Sequence, residues 1–573
     1  MGAVDDAAHP LAGQPSRRDE DRMTNRDTDV LVLGSGSAGL VAALTAAAQG
    51  LRVTVLEKTD RLGGTTAMSG AGTWIPANHL AAEAGIEDSV EEALTYIRAA
   101  APEGWAETEA PLWEAFVRAA PEMLRFVEAK TPLRFALTPE PDPLRTLPGA
   151  KLKGRMMSPR ALSRWRAGRF AFRIRRSTIP EIFTYHEAVT TDIYHKPYST
   201  ALSLAPRLLW RWLVNARGKG TALVTGLLRG CLDAGVRFEL SARAVELTQD
   251  ATGAVTGAVV DQHGHRETWS ASAGVVIATG GFEWDAALLA QHFPGPVDYR
   301  GSPTAHEGDG QRMAAAAGAE LARMDQATIA PSIPVRYQGQ VLAQPVPFHT
   351  ETNAMLVNRH GERFMNELTF NIGEALDRRD PATGEPIHLP AWVITDARML
   401  DQVPPVRWAA KADPGWMRQA PDIATLAGLI GVPPVALEAS VARFNAFARD
   451  GRDEDFGRPA RPDPAAAGDK RRRAGMDPIT RAPFLAMPLS RSILGTKGGA
   501  RTNEHAEVLR PDGSVIPGLF AAGIAMANPI GSRNVGTGTT IGPNMAWGYI
   551  VGKRLARRNA GSGASTDSSA TSA

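Results

Sequence analysis

The sequence predicts an α/β protein, a parallel sheet wrapped by helices and carrying a second, inserted domain. Three observations lead there. An apolar run, Val30 to Leu33, leads into glycines at 34, 36 and 39 and then into an Ala-rich helical stretch, Leu40 to Gln49. A second run, "RVTVLE", follows at once and ends in an acid, Glu57. The chain has 573 residues, and single cores rarely grow beyond about 250–300.

Each element has a physical reason. Val30 to Leu33 is short and continuously apolar, as a buried parallel strand requires. Gly34, Gly36 and Gly39 give G-x-G-x-x-G, which permits a tight turn, close backbone approach to a pyrophosphate and close helix–strand packing. The helix that follows presents free N–H groups and the positive end of its dipole to phosphates. Glu57 stands where an acid hydrogen-bonds a ribose hydroxyl. Strand, helix and acid together make this a Rossmann-like dinucleotide-binding unit. A second Gly/Thr/Ser loop, "DRLGGTTAMSGAGTW", comes directly after the acid, with Gly63, Gly64, Thr65, Thr66, Ser69, Gly70 and Gly72. Its position lets the chain wrap a ligand longer than one nucleotide.

This pattern resembles FAD-binding flavoproteins, specifically the fumarate reductase/ketosteroid dehydrogenase superfamily. Three later segments fit the same resemblance. "ARAVEL" resembles the strand whose backbone at Val245 meets the adenine, and Ala278, Thr279, Gly280 and Gly281 match an Ala-Thr-Gly-Gly turn. "GSVIPGLFAAGIAMAN" matches the segment returning to the flavin, with Gly523 beside it. The resemblance implies FAD, held by these positions together with the flanking Ser37, Ala38 and Lys58, and because the first domain's loops offer no obvious histidine anchor the FAD is expected to be non-covalent. It also implies a discontinuous FAD-binding domain (27–120, 216–300 and 485–558) and an inserted α+β substrate or capping domain (121–215 and 301–484). Near the end of the chain, "SRNVGTGTTIGP" precedes the helical "MAWGYIVGKRLA". In the family this junction, near Thr540 and Ile541, aims a helix N-terminus at the pyrimidine side of the flavin and stabilises negative charge there.

Within the superfamily, "AMSGAGTWIP", "LGTKGGARTNEHAEVLRPDG", "GERFMNE" and "GTGTTIGP" resemble ketosteroid Δ1-dehydrogenases and cyclohexanone dehydrogenases more than fumarate reductases. The implied reaction is dehydrogenation at CH–CH. A donor polarises the ketone oxygen, a base takes the adjacent proton, and flavin N5 receives a hydride from the β-carbon. Gly538 matches the glycine whose N–H holds the carbonyl. The tyrosines of the steroid enzymes do not carry over: two residues before the Gly-x-Gly stands Asn534, and shortly after "NE" the nearest position is Asn371. An amide still donates a hydrogen bond, so Asn534 is the candidate polariser. It is no base. Three of the seven tyrosines cluster with two histidines in "FTYHEAVTTDIYHKPYSTA". The base is expected there, from Tyr194 or Tyr198 ahead of Tyr185, with His186 or His195 aiding ionisation; the alternative is aromatic packing at a domain seam. Arg533 either pins a carboxylate or contacts the cofactor.

The bulk numbers exclude other classes. A net charge of +2 offers no electrostatic case for nucleic acid, one cysteine rules out an internal disulfide framework, and the histidines show no zinc spacing. No apolar run reaches the roughly 18 residues of a membrane span. A cytoplasmic enzyme without a transmembrane anchor is expected, acting on an apolar small-molecule ketone and passing electrons to an unidentified acceptor. The termini, 1–26 and 559–573, read as disordered. "RWRAGRFAFRIRRST" alternates as a half-buried strand, "HGH" reads as a hairpin turn, and Trp113 as core or pocket wall. "LAPRLLWRWLVNARGKG" reads as a domain-interface helix, with peripheral membrane contact as its alternative. Two other functions stay open: a fumarate reductase-like or enone reductase, and a non-catalytic flavin-binding or electron-transfer protein.

Overall fold

The computed structural model describes residues 26–459 and 475–566. The expected lead-in before residue 26, the prolines and basic run at 460–474, and residues 567–573 lie outside them.

β1 (Asp27–Leu33) and β2 (Val53–Glu57) pair in parallel, Val30 opposite Val53 and Leu33 opposite Leu56. β3 (Arg237–Leu240) adds to β2 in the same sense. β4 (Ala242–Gln249), β5 (Val255–Gln262) and β6 (His265–Ile277) form an antiparallel meander. The β5–β6 turn is the expected two-residue hairpin, with positive φ at His263 and Gly264. β6 changes character along its length. Its first half alternates exposed and buried residues and pairs with β5, whereas its buried end, Gly274 to Ile277, runs parallel to β1. β7 (Glu507–Leu509) and β8 (Val515–Ala521) close the sheet, whose order is β7-β8-β6-β1-β2-β3, with β5 and β4 branching from β6. This is the parallel α/β architecture the glycine motif predicts.

Four helices matter for the site: α1 (Ser37–Ala47), α2 (Trp105–Lys130), α3 (Lys219–Asp233) and α4 (Ile541–Thr566). α1 is buried along almost all its length because α3 and α4 both lie on it. Glycines make that contact close: a Cβ on Gly548 would stand 2.3 Å from the Ala38 carbonyl oxygen, and one on Gly552 2.4 Å from Thr45 Cβ. α4 runs on to Thr566, through the first part of the expected disordered tail. α2 spans the expected domain boundary at residue 120, and its buried face joins the core of the large sheet, as do Leu133, Phe135, Met157, Phe170 and Ile174. Trp113 is core: it is buried and donates its indole N–H to the Pro529 carbonyl at 2.8 Å.

The second lobe holds an antiparallel sheet of Met355–Val357, Trp392–Asp396, Phe484–Pro488 and Arg418–Ala420, backed by helices Ile423–Ile430 and Pro434–Asp450. Its anchor is a buried ion cluster. Arg363 meets Glu367 at 2.8 Å and Asp453 at 2.9 Å, while Arg458 reaches Glu367 at 3.1 Å. The motif "GERFMNE" therefore holds this lobe together.

Two expectations fail. Residues 164–175 do not form a strand. Arg164–Phe170 is a 3₁₀ helix bent at Gly168, and the turn buries Phe170 and Ile174 while Phe172 is 58% exposed. The buried Arg164 guanidinium pins the turn by donating to the Ala171 carbonyl. Nor is Ala205–Leu213 a domain-interface helix. Its buried residue is Arg211, which pairs with Glu187 at 2.7 Å, and that bond turns Leu209, Trp210, Trp212 and Leu213 outward. Among the described residues no helix is long and apolar enough to cross a membrane.

Candidate functional site

A groove runs along the carboxyl ends of β1 and β2, where a parallel sheet places ligands. Gly34, Gly36, Ser37 and Ala38 line it at the start of α1. Gly34 has φ +108°, and a Cβ there would stand 2.4 Å from the Ala278 carbonyl oxygen. Gly39 lies behind the wall: its Cβ would meet the Gly34 carbonyl at 2.2 Å, so it serves packing. Glu57 is buried at the end of β2, accepting from Ser35 Oγ at 2.5 Å and from the Thr59 N–H and hydroxyl at 3.0 Å. The second glycine loop is tied to α1, since the Ser37 N–H donates to Thr66 Oγ1 at 3.0 Å.

Gly64, Thr65, Thr66, Ala278, Thr279, Gly280 and Gly523 complete the groove as expected. Lys58 lines it too, held by Glu307 at 3.0 Å and Asp309 at 2.7 Å. Val245 does not line it. β4 enters from the positive-φ turn at Ser241, so its first residues, Ala242, Arg243 and Ala244, meet the groove instead. The sequence reading also missed His306 in the wall, which bonds the fully buried Glu283 at 2.9 Å.

Thr65, Thr66, Ile524 and Asn544 line both this groove and a second cavity of about 400 Å³, so the two are continuous. Ser69, Gly70, Gly538, Thr540 and Ile541 line the second cavity, and α4 begins at its floor. The floor is backbone laid on backbone: a Cβ on Gly538 would stand 2.6 Å from Gly72, and one on Gly542 2.2 Å from the Trp74 carbonyl oxygen. The Gly538 carbonyl accepts from the Trp74 and Gly542 N–H groups, while its own N–H makes no hydrogen bond among the described residues.

Asn534 lines the same cavity with φ +47°, a conformation asparagine tolerates. Its Nδ2 donates to the Ser532 carbonyl at 3.0 Å, and its Oδ1 accepts from Lys497 Nζ at 3.0 Å. Lys497 is 2% exposed, and burial pushes its ammonium down to about 8. The signal for it was a lone lysine in "ILGTKGGA", otherwise apolar and small.

The tyrosine cluster divides. Tyr185 and Tyr194 line the cavity with Asn371, whereas Tyr198 is 71% exposed beside Trp408 and lines only a neighbouring chamber of about 610 Å³. Helix Pro197–Ser203 starts at the intervening proline and carries Tyr198 outward. Tyr185 donates its hydroxyl to Glu140 Oε2 at 2.7 Å, and Thr537 donates to Glu140 Oε1 at 2.7 Å. The histidines expected to aid ionisation do other work. His195 is buried between Asp192 at 2.6 Å and Glu351 at 2.9 Å, while the backbone N–H of His186 donates to Ser158 Oγ and its buried ring Nδ1 has no hydrogen-bond partner among the described residues. Arg533 is held by Glu374 and the Ala100 carbonyl, both at 3.0 Å.

The groove fits FAD. It offers a helix N-terminus whose N-cap, Gly36, has no side chain to cover it, a buried carboxylate at the ribose position, and a second chamber sharing its wall. Comparison with known proteins agrees. The sequence matches the family described as FAD binding domain over residues 29–541. It is 36% identical over 556 residues, 94% of each chain, to a 4-oxocyclohexanecarboxylate 2-dehydrogenase of Sinomonas cyclohexanicum. It is 33% identical to a 3-oxosteroid 1-dehydrogenase of Mycobacterium tuberculosis, covering 93% of this chain and 99% of that one. The fold superposes on a 3-ketosteroid Δ1-dehydrogenase from Sterolibacterium denitrificans, solved with 1,4-androstadiene-3,17-dione, with a TM-score of 0.82 and 29% identity, covering 93% of this chain and all of that one.

Lys497 gives the cavity a measurable signature. With its ammonium lowered from 10.5 to about 8, the unfolded chain holds a proton that the folded chain lacks between those values. Stability relative to Lys497→Met should therefore rise from pH 8 to pH 10.5, by at most about 3 kcal/mol. Urea midpoints of the two proteins across that range check this; a constant difference would show that Lys497 is not lowered.

Proposed function

The chain belongs to the FAD binding domain family, and on that premise we propose that it is an FAD-dependent dehydrogenase of cyclic ketones. It would remove a proton from the α-carbon and a hydride from the adjacent β-carbon and leave an α,β-unsaturated ketone. One observation carries this reading: a hydrogen-bond donor pair, Gly538 and Asn534, and a carboxylate-backed phenol, Tyr185, line a single cavity continuous with the nucleotide groove.

Gly34–Ala38, Glu57, the 64–70 loop, Ala278–Gly280 and Gly523 would hold FAD, which when bound supplies the acceptor for the hydride. The chain's own residues do the rest. The Gly538 N–H and the Asn534 amide donate to the ketone oxygen, which acidifies the neighbouring C–H. Tyr185 takes that proton. Its hydroxyl already donates to Glu140, so as the phenol oxygen receives the substrate proton its own proton passes to Glu140 Oε2. Thr537 steadies the carboxylate from its other oxygen. Tyr185 is the base in this reading because its hydroxyl lines the cavity and donates to a carboxylate, Glu140 Oε2, at 2.7 Å.

The reductase alternative requires cations for a dicarboxylate. Among the described residues Lys497 is the one lysine or arginine lining the cavity, its ammonium is already bonded to Asn534, and Arg533 is paired with Glu374. The chamber shared at Tyr194 offers an apolar approach for a ring substrate. The outward Leu209, Trp210, Trp212 and Leu213 support peripheral contact with a lipid surface near that approach. The single cysteine is buried and unpaired, which fits a reducing compartment such as the cytoplasm.

Anaerobic mixing with cyclohexanone, 4-oxocyclohexanecarboxylate or a 3-ketosteroid should bleach the flavin absorbance with at least one of them. Tyr185→Phe should slow that bleaching on the order of 10²–10⁴-fold, and Tyr198→Phe should leave it unchanged. Bleaching by none of the ketones, with reoxidation of reduced protein by fumarate, would replace this reading by the reductase. Separately, sedimentation with anionic phospholipid vesicles should fall in the Trp210→Glu, Trp212→Glu double variant; equal sedimentation would remove the membrane contact.

A further inference from the structure

Lys497 is a buried cation in the catalytic cavity that the reaction above leaves without a task. It sits at the end of strand Ile493–Thr496, and its backbone is fixed on both sides: its N–H donates to the Gln326 carbonyl at 2.8 Å and its carbonyl accepts from the Asn528 N–H at 3.0 Å. Packing holds the next residue as tightly, because a Cβ on Gly498 would stand 2.4 Å from Met324 Cα. The side chain is thus delivered to the cavity wall by a rigid strand end. Among the described residues no carboxylate lies within ion-pair distance of its ammonium, and burial alone lowers its proton affinity. A buried cation with no counter-charge is a poor structural element, since an apolar side chain of similar length would occupy the space at lower cost. Among the described residues the ammonium makes one hydrogen bond, to the Asn534 side-chain oxygen.

That bond settles which way the amide faces. An ammonium only donates, so the atom of Asn534 beside it is the oxygen, and the NH₂ group lies on the other side. One N–H of that group is taken by the Ser532 carbonyl at 3.0 Å, leaving the second for a ligand. A cation on the oxygen of an amide draws electron density from its nitrogen and strengthens the N–H as a donor, and such polarisation is larger where water is excluded.

We propose that Lys497 drives Asn534: its ammonium polarises the amide, so that the remaining Asn534 N–H carries the negative charge that develops on the substrate carbonyl oxygen. Lys497 is a positioning residue in this scheme and acts through Asn534 without touching the ketone. A neutral amide thereby takes the place of the phenol found at this position in the steroid enzymes that the sequence resembles. The inference rests on the ketone-dehydrogenase reading, yet its test needs no turnover.

A phenolate oxygen mimics the enolate oxygen, so the test is the ionisation of p-nitrophenol bound to the flavin-loaded protein, read from its visible absorbance over a pH series. The titratable groups lining the cavity are Lys497, Tyr185, Tyr194 and His349, with Glu140 behind Tyr185. Wild type should bind the phenolate at least tenfold more tightly than the neutral phenol. Lys497→Met and Asn534→Ala should each abolish that preference, and the double variant should lose no more than either single one. Lys497→Gln, which can donate to Asn534 but carries no charge, should behave as Lys497→Met and gives the same reading if the methionine variant does not retain its flavin. Absence of a phenolate preference in wild type, or its survival in the uncharged variants, would overturn the proposal. So would additive losses in the double variant, which would mean that Lys497 meets the ligand directly, as a carboxylate binder does. A protein that ionises the phenol but oxidises no ketone would overturn the reaction and leave the charge relay standing.

Discussion

The site depends on one contact: the backbone of residues 536–542 lying directly on the backbone of Gly72–Trp74. No side chain fits between them. A Cβ on Gly536 would strike the Trp74 ring at 2.8 Å, and those on Gly538 and Gly542 would strike main-chain atoms at 2.6 and 2.2 Å. The contact joins a loop near the end of the chain to the glycine loop that follows the first βαβ unit. It sets the Gly538 N–H and the start of α4 at the cavity floor and places Asn534 within reach of Lys497. Trp74, fully buried, holds the strand from behind by donating to Asp142 at 2.8 Å, and Asp142 in turn meets Arg155 at 2.8 Å. The threonines of "GTGTTIGP" finish the loop locally, Thr539 by donating to the Gly536 carbonyl and Thr537 to Glu140.

From that floor the electrostatics of the cavity become spare and specific. One backbone donor, one side-chain amide, one phenol with a carboxylate behind it and one buried ammonium stand in a lining otherwise dominated by glycine, threonine and apolar residues, alongside Tyr194, His349 and Asn371. Lys497, Asn534, Tyr185 and Glu140 are all buried, so each of these interactions is worth more than it would be at the surface. The same economy separates this chamber from one built to clamp a dicarboxylate.

What was legible in the sequence was local. Gly34, Gly36, Gly39, Glu57 and the 63–72 loop announced the groove because glycines and an acid at fixed spacing have few other uses. Gly523, Gly538 and Ile541 followed from motif order. What was not legible required the fold. Tyr185 meets Glu140 across 45 residues and Lys497 meets Asn534 across 37, and neither spacing has a periodicity to betray it. Tyr198 misled because one proline separates a residue facing the cavity from a helix facing outward. Helix Ala205–Leu213 misled because apolar residues there face away from the protein while an arginine is buried, the inverse of the usual amphipathic rule. In residues 164–175 the apolar-basic alternation misled because the chain turns there: Arg164–Phe170 is a 3₁₀ helix, and beyond it Phe172 is exposed while Arg175 is buried.

The central claim is that one chamber holds the ketone oxygen at the 534–538 loop and the adjacent carbon at Tyr185. A crystal structure of the flavin-loaded protein with a cyclic enone product tests it most directly. The account predicts the enone oxygen within about 3.2 Å of both the Gly538 nitrogen and Asn534 Nδ2, with Tyr185 Oη facing the carbon next to the carbonyl. An enone whose oxygen turns away from that loop, or whose ring leaves Tyr185 out of reach, would contradict it.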